Sequence, residues 1–225
     1  MSAHRPEAPR PWPGLEPWQR LWHAIGASGG AAAWHALLRC AYAEPHRHYH
    51  DERHIADCLA EFAVVRALAR QPEAVEVALW FHDAVYDPKA TDNEERSAAL
   101  AGRCLSEAGR PGLGQTVAAL VMATKLHRTD ADPDAALVAD VDLSILGQSE
   151  ARFAEYESQI RAEYAWVPAE VFAAKRAEIL RRFLDRPRVY ATEPFFTRYE
   201  RQARENLAQS LRILTQSGQP QGRTS

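Results

Sequence analysis

The chain is expected to be an all-α, single-domain bundle of about nine or ten helices. Three observations predict this. Apolar residues recur at three- and four-residue intervals across most of residues 15–215. No stretch sustains the two-residue alternation of a half-buried strand, and β-branched residues are few. The periodic stretches are bounded by capping residues, Gly and Pro. No repeat with a solenoid-like period is present. A chain of 225 residues folded as one domain buries roughly 70% of its unfolded surface.

The elements follow in order. Residues 1–14 are Pro-rich and are expected to form a disordered lead. Residues 15–25 place Leu15, Trp18, Leu21, Trp22 and Ile25 on one helical face, and Ser28-Gly29-Gly30 ends that helix. Residues 31–43 form a second helix bearing Trp34, Leu37, Leu38 and Tyr42. Pro45 turns the chain into the loop 44–50. Asp51 is a good N-cap for a helix over 52–70. Pro72 suits the first turn of the next helix, with Glu73 and Glu76 near its positive end, and the helix runs to His82-Asp83. Asp87-Pro88 marks a turn, and Asp92 with Glu95 fits a capping box for a helix over 93–108. Gly and Pro make 109–114 a turn before a helix over 116–127. Asp134 opens a helix closed by Gly147, and Ser149 caps one over 150–165. Helices over 168–184 and 195–215 follow, broken from each other by Pro187 and Pro194, and residues 216–225 are expected to be a loose tail.

Bulk composition excludes several classes. The net charge of −3 gives no general attraction to nucleic acid or anionic lipid. No apolar run reaches the length of a membrane span, and no h-region of a signal peptide is seen in the first residues. Cys40, Cys58 and Cys104 are odd in number and scattered, which points to reduced thiols and a cytoplasmic protein.

The chemistry gathers around Leu79-Trp80-Phe81-His82-Asp83-Ala84-Val85-Tyr86-Asp87, where an apolar segment runs into an adjacent His-Asp pair. A divalent ion of modest softness takes imidazole and carboxylate ligands from several elements. His54 begins the preceding long helix, close to His46, His48 and His50. Asp140 and Asp142 lie on a later helix and His127 ends another. Asp140 and Asp142 face different ways, so one of the two can join a shared ligand set.

The order His, His-Asp, Asp on a helical scaffold resembles the HD-domain superfamily of metal-dependent phosphohydrolases. The segments 44–50, 80–87, Asp92-Asn93-Glu94-Glu95 and 142–147 resemble its predicted phosphohydrolase branch of about 200 residues, over residues 15–211. The resemblance implies an HD-domain-like bundle at 15–215 with His54, His82, Asp83 and Asp142 as metal ligands. It implies a divalent cofactor drawn from Mn, Fe, Co, Ni, Mg or Zn. The expected activity is hydrolysis of a nucleotide or other small phosphate ester by metal-bound hydroxide. Asp142 is favoured over Asp140 because related segments use their second Asp.

Further roles are assigned around that set. Asp83, Asp87, His127 and Lys125 are the catalytic candidates, with Asp87 placed to orient water or protonate a leaving oxygen. Arg47, Lys89, Lys125 and Arg128 are the candidates for gripping phosphate. Only Lys89, Lys125 and Lys175 among the 27 basic residues are lysines, and two of them fall within the motif segments. Two other functions fit the same residues. A di-iron oxygenase would draw extra ligands from His127 and His50, and a non-catalytic nucleotide or metabolite sensor would use the ligands for binding alone. The expected partner is a small phosphorylated molecule, with no membrane or nucleic acid. The oligomeric state is left open, a homodimer included.

Overall fold

The computed structural model describes residues 10–126 and 132–217. Among them are ten α-helices and no strand. The helices are α1 (Leu15–Ala24), α2 (Ala31–Tyr42), α3 (Glu52–Val65), α4 (Pro72–Phe81) and α5 (Asn93–Glu107). They continue as α6 (Pro111–Leu126), α7 (Pro133–Asp142), α8 (Glu150–Glu163), α9 (Ala169–Leu184) and α10 (Glu193–Ser217). Short 3₁₀ turns follow α3 (Arg66–Leu68) and α7 (Leu143–Gly147). No helix of the described residues is long and apolar enough to cross a membrane.

Helix α4 is the axis of the bundle. Its sequence from Val77 to Phe81 is apolar on every side, and such a segment must lie inside. It packs against α1, α3, α5, α6 and α7. Ala74, Val75 and every residue from Val77 to Phe81 are buried. Pro72 occupies the first turn, where a missing N–H costs nothing. The Trp80 ring meets Trp12 and Trp18 edge-on at centroid distances of 5.2 Å. Burying an indole of this size contributes roughly 4–6 kcal/mol. Its Nε1 is buried without a hydrogen-bond partner among the described residues, which returns about 1–3 kcal/mol of that.

Several boundaries differ from the sequence expectation, each for a tertiary reason. The N-terminal lead is docked from residue 10. Trp12 packs on His35, Tyr42 and Trp80, and Arg10 Nε lies 3.2 Å from Asp57. Residues 1–9 and 218–225 lie outside the described residues. Helix α3 stops at Val65 and gives way to a 3₁₀ turn. Beyond that turn the Arg70 and Gln71 amides are taken by the buried Asp134 carboxylate, both at 2.8 Å. Helix α6 begins at Pro111 rather than 116. Gly114 lies in that helix, where a Cβ would stand 3.4 Å from the Gly102 backbone, so the two glycines let α5 and α6 approach closely. Pro194 falls in the first turn of α10 instead of preceding it. The Asp92–Glu95 capping box does not form: Asp92 makes no side-chain cap, and Glu95 pairs with Lys125.

Two features fix the end of α7. Asp140 accepts from the Ala191 and Thr192 amides at 2.9 and 2.6 Å and from Thr192 Oγ1, which ties α7 to the approach of α10. Gly147 then lies so close to α10 that a Cβ would fall 2.5 Å from Tyr199 Cβ.

Candidate metal centre

His54, His82, Asp83 and Asp142 converge from three helices at the end of α4. Asp51 caps α3, accepting from the Arg53 and His54 amides, and so orients the first turn that carries His54. His82 and Asp83 follow the last residue of α4, where the chain leaves the helix and the two side chains can face one point. Asp142 is the last residue of α7. Arg47 locks the chain beyond Asp83. It is fully buried at the side chain and donates to the carbonyls of His50, Asp83 and Ala84 at 3.0, 2.7 and 3.2 Å.

The spacing of the donors is diagnostic. His54 Nε2 lies 3.0 Å from His82 Nε2, 3.4 Å from Asp83 Oδ2 and 3.3 Å from Asp142 Oδ1. His82 Nε2 lies 3.1 Å from Asp83 Oδ2 and 3.6 Å from Asp142 Oδ1. Ligands about 2.1 Å from a common ion, at right or tetrahedral angles, stand about 3.0–3.4 Å apart. These separations, 3.0–3.6 Å, are close enough for the donors to share one metal ion. The His82 Nδ1 lies 2.9 Å from the Leu79 carbonyl, so Nδ1–H donates there and the Nε2 lone pair faces the cluster.

The electrostatics agree with a cation hole. Burial opposes the charged form of His54, yet Cys58, Tyr49 and the two carboxylates raise its pKa well above the ordinary value. Burial opposes the His82 imidazolium as well, and Asp83 and Asp142 raise it in the same way. Asp83 is buried but held well below the usual carboxylate range by His82 and His54. Both imidazole shifts favour positive charge at this point, which is what a bound cation would supply.

Cys58 also borders the set and was not anticipated. His54, Cys58, His82 and Asp142 each offer a ligand atom within 4.8 Å of the others. Cys58 Sγ lies 3.7 Å from both nitrogens of His54, one helical turn away on α3. The Asp83 carboxylate lies nearer to His54 Nε2, at 3.4 Å, than the Cys58 thiol does, at 3.7 Å. The His-x-x-x-Cys spacing was the available signal. Asp140 takes no part, since its carboxylate is spent on residues 191–192.

A second unanticipated residue stands beside the cluster. The Glu163 carboxylate accepts from the amides of His48, Tyr49 and His50 at 2.8, 2.8 and 2.9 Å, from His50 Nδ1 at 2.7 Å and from Tyr86 Oη at 2.8 Å. His50 thereby lies against Tyr86, ring centroids 4.2 Å apart, and 5.9 Å from the His54 ring. Burial pushes the Glu163 carboxyl up, but these bonds hold it down at about 2.

The remaining sequence candidates are placed elsewhere or otherwise engaged. Arg47 was expected to grip phosphate and instead braces backbone carbonyls. Asp87 is exposed and accepts from the Lys89 amide within the 87–93 turn. Lys89 stands over the Trp166 ring at 5.4 Å. Lys125 pairs with Glu95 and donates to the Thr91 carbonyl. His127 and Arg128 lie outside the described residues.

A cleft of about 870 Å³ opens onto the cluster, with His54, Cys58 and Asp142 in its wall. Arg53 and Arg152 line it nearby, and Arg10 and Arg198 lie further along. A smaller hollow of about 300 Å³ between α5 and α6, lined by small residues such as Ala98 and Gly102, holds none of the donors. No protein-family model, curated protein or solved structure matches the chain.

Proposed function

We propose that the chain is a metal-dependent phosphoric ester hydrolase of the HD-domain type, acting on a small phosphorylated substrate. One observation carries the proposal. Two imidazoles and two carboxylates stand at the mutual spacing of ligands to one divalent ion, and two of the four, His54 and Asp142, lie in the wall of a cleft large enough for a metabolite. The motif order His54, His82-Asp83, Asp142 supports the HD-domain assignment.

Each residue has a part in this scheme. His54, His82, Asp83 and Asp142 hold the ion, and the Leu79 carbonyl fixes the His82 tautomer. Arg47 keeps the 82–84 backbone in place. A divalent ion bound here would acidify a coordinated water and neutralise charge on a phosphoryl oxygen. The mixed nitrogen and oxygen donors suit Mn, Fe, Co, Ni or Zn, and Mg less well.

The test is metal analysis of the purified chain followed by a phosphate-release screen. One ion per chain and hydrolysis of para-nitrophenyl phosphate, lost in His82→Ala and Asp83→Ala, are expected. Two irons with visible absorption and no phosphate release would replace this proposal with the oxygenase. Metal and ligand binding without turnover across a broad panel would replace it with the sensor.

A further inference from the structure

The cleft wall beyond the metal ligands carries information about the substrate. Arg53 and Arg152 have side chains 18% and 14% exposed. Glu155 receives Arg53 Nη1 at 2.6 Å and stands 3.4 Å from Arg152 Nη1, which donates to Gln159 Oε1 at 3.2 Å. Asp57 is further off, 3.7 Å from Arg53 Nε and 3.9 Å from Arg152 Nη2, beyond hydrogen-bond reach. Arg53 Nε is buried and has no acceptor among the described residues, so donation into the cleft falls to the Nη groups. A guanidinium carries five N–H groups, so this pair keeps donor capacity to spend on an anion. The Arg152 guanidinium lies over the Tyr49 ring at 5.9 Å, and Tyr49 packs on His54 at 4.8 Å. The pair therefore stands about one aromatic ring beyond a metal ligand.

The rest of the wall is hydroxyl-seeking. Ser144, Gln148 and Ser149 offer donors and acceptors, and Asp57, Glu61 and Glu155 offer carboxylates. Besides His54, the one aromatic residue among the described lining is Tyr49, which is 5% exposed and overlain by Arg152. A nucleobase is commonly held by stacking on an open aromatic face, and this wall presents none.

Resting on the hydrolase function above, we propose that the cleft selects the monophosphate of a sugar or polyol over a nucleotide. The ester phosphate meets the ion and the Arg53–Arg152 pair. The hydroxyls of the leaving alcohol meet the serines, Gln148 and the carboxylates.

The experiment compares two substrates that share the reacting group, using the full chain loaded with manganese. These are ribose phosphorylated at its primary hydroxyl and adenosine monophosphate phosphorylated at the same hydroxyl. Ribose phosphate is expected to show kcat/KM about tenfold higher. Equal or faster cleavage of adenosine monophosphate overturns the substrate class and leaves the hydrolase standing. Cleavage of neither, nor of para-nitrophenyl phosphate, overturns both. In Arg152→Gln, the KM for ribose phosphate should rise about tenfold with metal content and melting temperature unchanged. An unchanged KM removes the arginine pair from the proposal.

Discussion

The molecule buries the same chemical groups in two adjoining places with opposite results. At Glu163, one carboxylate is met by three amide N–H groups, a His50 N–H and a Tyr86 hydroxyl, so every close neighbour is a donor. At the end of α4, imidazole lone pairs and carboxylate oxygens face each other at 3.0–3.6 Å. The first arrangement is complete without help, and the second is complete only with a proton or a cation. Asp134 and Asp140 belong with Glu163, each closed by backbone amides. The difference teaches that burial alone does not mark a functional carboxylate. The sign of its neighbours does.

That contrast is breakable by substitution. The largest effect is expected in Asp142→Asn, which keeps the shape and removes one acceptor charge. Manganese affinity, measured by calorimetry, should fall at least about a hundredfold, and phosphate release should fall to background. The metal-free chain should change by about 1 kcal/mol or less. A variant that binds manganese normally would dissolve the distinction between the two sites.

Glu163→Gln should show the reverse pattern. The depression of the Glu163 carboxyl to about 2 corresponds to roughly 3 kcal/mol of stability at neutral pH. A depressed folded value means that this stability is present above the ordinary glutamate range and is lost as the pH falls toward 2. Urea unfolding at several pH values should therefore show the wild type losing stability through that acid window. The glutamine variant, already weaker at pH 7, should show a flatter profile. Equal slopes would mean that Glu163 is not the group responsible.

The His54 and His82 values sharpen the other half. Both are raised in the metal-free chain, so their contribution to stability is full below the ordinary imidazole range and fades as the pH rises through the raised values. An ion must displace those protons. The stabilisation gained on adding manganese should grow with pH, and calorimetry in buffers of different ionisation enthalpy should detect proton release. The smallest effect is expected in Cys58→Ala, with metal affinity lowered less than about tenfold. A larger loss would bring the thiol into the ligand shell.

Much of the framework was legible locally. Asp51, Pro72 and Ser149 act at the helix starts where their capping chemistry placed them, and the helical class follows from apolar spacing. The geometry brings together His54, His82, Asp83 and Asp142, while the Asp140 carboxylate is closed by the amides of residues 191–192. What escaped was set by distant partners. Glu163 meets His50 across 113 residues of sequence, and no local pattern announces that. Arg47 looked like a phosphate ligand, yet besides Glu44 and the His50 carbonyl nearby it is held by carbonyls 36 and 37 residues on, which no local pattern announces. Gly112 and Gly114 read as a turn because the close approach of α5 is invisible from α6 alone. Cys58 was readable from its helical spacing to His54.

The tie between residues 191–192 and Asp140, together with the contact of Gly147 on Tyr199, makes the fourth ligand dependent on the last helix. A ribosome-bound chain that has emerged only as far as α9 can pack α7 on α3, α4 and α6 but lacks the tie at Asp140 that fixes the C-terminal end of α7, where Asp142 lies. Under the proposed function the complete site needs the last helix, and a product cut short before residue 190 should take up manganese poorly when dialysed against it.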